Sequence, residues 1–81
     1  MIESVGDPRQ DLARRVKSWR RARFMSQEEL SDRSGLGRAT IARIELGQTV
    51  PHGRTIRSLA EALAVQPSDL VSDPDSLWST R

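Results

Sequence analysis

The sequence predicts an all-α fold, a compact bundle of four to five short helices, and three observations carry that expectation. Apolar residues recur at spacings of three and four along several segments, one buried stripe per helix. Glycine, proline and capping residues interrupt those segments at short intervals, so each helix is brief. No segment alternates apolar and polar residues as a half-buried strand would, and there is no internal repeat. With 81 residues the chain has length for one small domain.

Residues 1–8, MIESVGDP, lack periodicity and read as an N-terminal arm. Asp7-Pro8 reads as a helix cap followed by proline at the first helical position. From there Leu12, Val16 and Trp19 form one apolar stripe of a helix reaching about Arg23, with arginines and Lys17 on the remaining faces. Ser26-Gln-Glu-Glu29 has the form of a capping box, in which Ser26 takes an amide of the first turn and Glu29 reaches back. The helix it opens is short because Gly35 supplies a turn after Ser34; Leu30 faces inward and Ser31 is expected to pack against the next helix. Gly37 serves as cap for a third helix over 38–46, where Ile41 and Ile44 share a face, and Gly47 stops it. A loop, QTVPHGR, leads to a fourth helix with Ile56, Leu59, Ala60 and Leu63 on a period near 3.6. Residues 67–71 fit a last turn of helix, and 72–81 form a polar C-terminal tail relieved only by Leu77 and Trp78. The expected organisation is therefore an arm at 1–8, a helical domain at 9–71 and a tail at 72–81.

Composition excludes several chemistries. Without cysteine there are no disulfides, thiolate metal sites or thiol nucleophiles, and the lone His52 lacks partners for a zinc site. No cofactor is expected, and no nucleophile–base set or phosphate-cradling glycine loop suggests an enzyme. No apolar run approaches the roughly 20 residues of a membrane span, and no signal peptide opens the chain, so a soluble cytoplasmic protein without membrane contact is expected. The formal net charge of +2 hides an asymmetry: +4 over residues 1–25, +1 over 26–57 and −3 over 58–81. Twelve of the thirteen basic residues are arginine, whose planar fork suits phosphate and guanine. A polyanion-facing half and a solvent- or protein-facing half would account for that pattern.

Short helix, glycine turn, short helix is the arrangement that holds a recognition helix clear of its scaffold for the major groove. The stretch QEELSDRSGLGRATIARIELG resembles the helix-turn-helix of the lambda-repressor-like family of phage repressors and Cro-like regulators. Leu30, Gly35, Leu36, Ile41 and Ile44 fall where that motif places buried and turn residues. RVKSWR at 15–20 is similar to the family's first helix, and GQTVPHGRTIRSLAEALAV to its loop and fourth helix, so the resemblance spans about residues 9–71.

The resemblance implies roles for individual residues. Arg38, Ala39 and Arg43 occupy positions from which this family reads base edges. Gln27 matches a glutamine that contacts phosphate and braces the recognition helix, and Thr40 a position used for phosphate or for a thymine methyl. Arg20 and Glu45 match a charge pair tying the first helix to the end of the recognition helix; a carboxylate left unpaired on that partly inward face would be costly. The sequence departs from the family's pattern at four points. Phe24 stands in place of a helix-ending glycine, so the first helix is expected to end with Phe24 packed down. Ser31 replaces an alanine, with its hydroxyl expected to bond back to its own helix. Gly37 replaces a Ser/Thr cap, and Ala64 a glycine.

On an arbitrary helix Arg38 and Arg43 would be solvated charges; at these motif positions guanine contact is the expectation. Arg14, Arg15, Lys17, Arg21 and Arg23 read as a solvated face with one or two phosphate contacts. Arg54 and Arg57, near the start of the fourth helix, are placed for phosphate. His52 reads as solvent-facing and Trp19 as core. Leu77 and Trp78 are candidates for a dimer or partner contact, since large aromatics concentrate at interfaces. The function expected is a sequence-specific double-stranded DNA-binding transcriptional regulator, a homodimeric repressor or autoregulator reading a palindrome. The alternatives are the antitoxin of a toxin–antitoxin pair, with the tail holding a toxin, a restriction–modification controller, or a protein-interaction module on the same scaffold.

Overall fold

The computed structural model describes residues 8–71. Four α-helices follow one another: α1 Pro8–Ala22, α2 Gln27–Ser34, α3 Arg38–Glu45 and α4 Gly53–Leu63, with a 3-10 turn at Pro67–Asp69. Pro8 is the first residue of α1, while the proposed cap Asp7, like Leu77 and Trp78, lies outside the described residues. Helix α4 starts within the segment assigned to the loop, so Gly53 and Arg54 are helical. Among the described residues there is no strand, no helix long and apolar enough to cross a membrane, and no group of side chains placed to hold a metal.

Each helix contributes its apolar stripe to one core. Leu12 and Val16 of α1 meet Met25, Leu30 of α2, Ile41 and Ile44 of α3, the Ile56, Leu59, Ala60 and Leu63 stripe of α4, and Leu70. Trp19 is only half-buried against this cluster; its indole Nε1 donates to the Asp69 carbonyl at 3.3 Å, so it seals the edge where α1 meets the 3-10 turn. A ring with a polar tip is well placed at such an edge.

Three helix ends share one device. At Phe24, Gly47 and Ala64 the chain enters the left-handed region, with φ of 57°, 73° and 60°. Each end closes with paired reverse hydrogen bonds: Phe24 N–H to Arg21 O and Met25 N–H to Arg20 O, Gly47 to Ile44 and Gln48 to Arg43, Ala64 to Glu61 and Val65 to Ala60. This pattern satisfies carbonyls that a helix end leaves open. The expectation that Phe24 packs down is corrected here. Phe24 copies the glycine conformation it was expected to avoid, and its side chain is 94% exposed. The two reverse bonds, with Met25 buried next door, outweigh the ~1–2 kcal/mol that a Cβ costs in that region.

Ser26 caps α2 by accepting from Glu29 N–H at 3.0 Å. The reciprocal half of the capping box does not form, because the Glu29 carboxylate accepts from Arg33 one turn along at 3.3 Å. That pair is exposed and contributes little beyond local order.

Candidate nucleic-acid interface

The turn between α2 and α3 is fixed from inside. Gly35 adopts φ 76°, and its N–H donates to Ser31 O. The Ser31 hydroxyl donates to the Leu36 carbonyl at 2.5 Å, while Leu36 N–H donates to Ser34 Oγ at 3.2 Å. This corrects the expectation that Ser31 bonds back to its own helix: its hydroxyl crosses to the turn, where the Leu36 carbonyl lies within reach. Helix α3 therefore leaves the turn at a set angle.

The far end of α3 is fixed by charge. Arg20 Nε donates to Glu45 Oε2 at 2.6 Å and Arg20 Nη2 to Glu45 Oε1 at 2.9 Å, a two-pronged pair with side chains only 12% and 3% exposed. The third Arg20 donor, Nη1, bonds the Met25 carbonyl at 2.8 Å, and Gln27 Nε2 adds a bond to Glu45 Oε1 at 3.1 Å. The carboxylate thus joins α1, the start of α2 and the end of α3. Its hydrogen bond holds Arg20 above the ordinary guanidinium value, against an opposing effect of burial. Beyond Glu45, Gly47 adopts φ 73°, and a Cβ there would also displace the exposed Gln10 side-chain amide.

Held at both ends, α3 buries Ile41, Ile44 and Glu45 and turns the opposite ridge outward. On that ridge Arg38, Ala39 and Arg43 are exposed, Thr40 and Ala42 are half-buried, and Leu46 at the helix end is 63% exposed. The small residues keep the ridge low between the two arginines. Among the described residues neither Arg38 nor Arg43 has a salt bridge or hydrogen bond to a protein group, and the same holds for exposed Arg54 and Arg57 on α4. Helices α3 and α4 also begin without a side-chain cap, at Gly37 and His52, leaving first-turn amides open to an anion.

Of the cations at 14–23, Arg15 and Arg23 depart from the reading as a solvated face. Arg23 Nε donates to the Leu63 carbonyl at 2.8 Å and its Nη2 to Ala64 O at 3.4 Å, while its guanidinium lies 5.1 Å from the centre of the Trp19 ring. Arg23 thereby covers the open C-terminal carbonyls of α4 with a cation, where the helix dipole favours one. Arg15 donates to Asp11 and, at 3.4 Å, to the Asp69 carbonyl; Arg14 pairs with Asp11 at 2.7 Å. Nothing in the spacing of Arg15 or Arg23 announces these long-range carbonyl partners, which exist only once α1 lies against α4 and the 3-10 turn. The exposure of Leu46 was also missed, although its place three residues after Arg43 puts it on the outward ridge.

Comparison with known proteins gives a consistent result. The model of a family described as helix-turn-helix matches residues 16–70. C.AhdI, the restriction-modification controller protein from Aeromonas hydrophila, is 34% identical with a TM-score of 0.74, over 76% of this chain and 94% of that one. The hypothetical transcription factor NHTF from Neisseria is 29% identical with a TM-score of 0.78, over 88% of this chain and 84% of that one. A transcriptional regulator of the same family from Vibrio cholerae is 27% identical with a TM-score of 0.76, over 91% of this chain and 42% of that one. No curated protein matches significantly.

Proposed function

The chain belongs to the helix-turn-helix family of DNA-binding regulators, and from that premise we propose a sequence-specific double-stranded DNA-binding transcriptional regulator, a homodimeric repressor or autoregulator reading a palindromic operator through α3. One observation carries the reading: among the described residues Arg38 and Arg43 stand without protein partners, on a helix fixed at one end by a locked turn and at the other by a buried ion pair. Arginine forks held on a rigid, low ridge are suited to the O6 and N7 acceptors of guanine in a groove about 12 Å wide. Ala39 contributes close approach, and Thr40 contacts phosphate or a thymine methyl. Gln27, Arg54 and Arg57 take backbone phosphates, the last two beside the uncapped start of α4. DNA binding belongs to residues 9–71, and dimer or partner contact to the tail through Leu77 and Trp78.

Selection of bound duplexes from a random pool tests this directly. The expected outcome is an enriched motif with twofold symmetry, half-sites about 10 bp apart and guanines opposed to Arg38 or Arg43. An enriched motif without symmetry would remove the homodimer, and no enrichment with no shift of a duplex at micromolar protein would favour the protein-interaction module. Of the narrower roles, a restriction–modification controller is supported by likeness to C.AhdI over nearly all of that chain. The antitoxin reading rests on the acidic tail and Trp78. The adjacent gene, a restriction enzyme or a toxin, separates the two.

A further inference from the structure

A cleft runs along the flank of α1 next to the end of α3, lined by Gln10, Ala13, Lys17 and Arg21 and walled by Glu45. We propose that this cleft is a second seat for the DNA backbone, with Lys17 and Arg21 as phosphate contacts outside the helix-turn-helix; the proposal rests on the DNA-binding reading.

Four observations carry it. First, Lys17 and Arg21, unlike their neighbours Arg14, Arg15, Arg20 and Arg23, engage no carboxylate or carbonyl among the described residues. They lie four residues apart on one face of α1, about 6 Å along the axis, so they are able to meet one phosphate or two in succession. Second, the wall does not repel an anion, because both oxygens of Glu45 are engaged by Arg20 and Gln27. Third, Glu45 links the cleft to the helix-turn-helix, since it lines the cleft and also accepts from Gln27, the proposed phosphate contact at the start of α2. Fourth, the cleft holds about 430 Å³ and is open to solvent. A water takes about 30 Å³ of liquid, so a lone inorganic anion would leave most of this space unfilled. A sugar–phosphate segment fits it better. Arg14, on the cleft's rim, is held by Asp11 and is not assigned a phosphate.

The test is the salt dependence of binding to a duplex selected by the wild-type protein. Lys17→Gln and Arg21→Gln are each expected to lower the slope of log K against log salt by about 1, and the double variant by nearly 2, with base preferences unchanged. Lys17→Arg and Arg21→Lys keep the charge and are expected to keep the slope; far-UV circular dichroism and thermal melting check that all five variants fold. Wild-type binding with an unchanged slope in the double Gln variant would overturn the cleft while leaving the DNA-binding reading intact. Failure of the wild type to shift any duplex would overturn both. Inorganic phosphate that shifts the Lys17 and Arg21 NMR resonances, with no effect of the Gln variants on the DNA slope, would also overturn it, assigning the cleft to a soluble phosphate compound.

Discussion

Arginine serves opposite ends in two regions of this molecule. In α1 and just past its end, Arg15, Arg20 and Arg23 bond a carboxylate and carbonyls at the ends of other elements. On α3 and the start of α4, Arg38, Arg43, Arg54 and Arg57 point out and meet no protein acceptor among the described residues. Sequence charge ranks these regions in the wrong order, with +4 over residues 1–25 and only +1 over 26–57. Local density of positive charge therefore does not report how many cations the fold leaves free, since Arg15, Arg20 and Arg23 are taken up by protein acceptors and Lys17 and Arg21 beside them are not, among the described residues.

The comparison breaks most visibly at Arg20. Replacing it with methionine leaves Glu45 buried and unpaired, and an expected loss of about 3 kcal/mol in urea unfolding follows. The double replacement of Arg20 and Glu45 by methionine should recover most of that loss. If the single variant loses less than about 1 kcal/mol, the pair does not pin α3. The sign of its pH dependence is set by the raised Arg20 value: the contribution is complete below the ordinary guanidinium range and is lost only in strong alkali. Unfolding midpoints near neutral pH should show no dependence on this group.

Arg43 and Arg23 sharpen the contrast. Arg43→Ala is expected to relax preference at one base position by about 1–3 kcal/mol, with stability changed by less than about 0.5 kcal/mol. Arg23→Ala should do the reverse, losing about 1 kcal/mol of stability through the Leu63 and Ala64 carbonyls while base preference is kept. Binding assays on variant duplexes beside thermal melts decide both; a uniform affinity loss for Arg43→Ala would reassign it to phosphate.

Smaller effects are expected at the left-handed helix ends and at α4. Phe24→Gly and Ala64→Gly should each stabilise by about 1 kcal/mol, because a Cβ is disfavoured at their positive φ and the exposed Phe24 ring buries little. A lower melting temperature in either variant would show that the side chain contributes something its exposure conceals. Arg54→Gln and Arg57→Gln should each reduce the salt slope by about 1 at every sequence tested, with base preference untouched.

Most of the fold is legible in the chain because short-range rules write it. The stripes Leu12-Val16, Ile41-Ile44 and Ile56-Leu59-Ala60-Leu63 set the buried faces, and Ser26, Gly35, Gly37 and Gly47 mark starts and stops. The outward ridge of α3 follows from the same period, since residues opposite Ile41 and Ile44 have only one direction to face. Phe24 was misread because propensity speaks against a left-handed phenylalanine, whereas the paired reverse bonds and the burial of Met25 demand that conformation. Half of the Ser26 capping box failed for a related reason: Arg33, one turn along, competes for Glu29.

Sequence alone therefore determined the helices, their buried stripes and the side of α3 that faces out, because these depend on residues within a turn or two of one another. Only the tertiary structure decided which arginines are occupied. Arg15 and Arg23 find acceptors 54 and 40 residues away, and a guanidinium's partner at that distance is set by how α1 lies against α4 rather than by anything local.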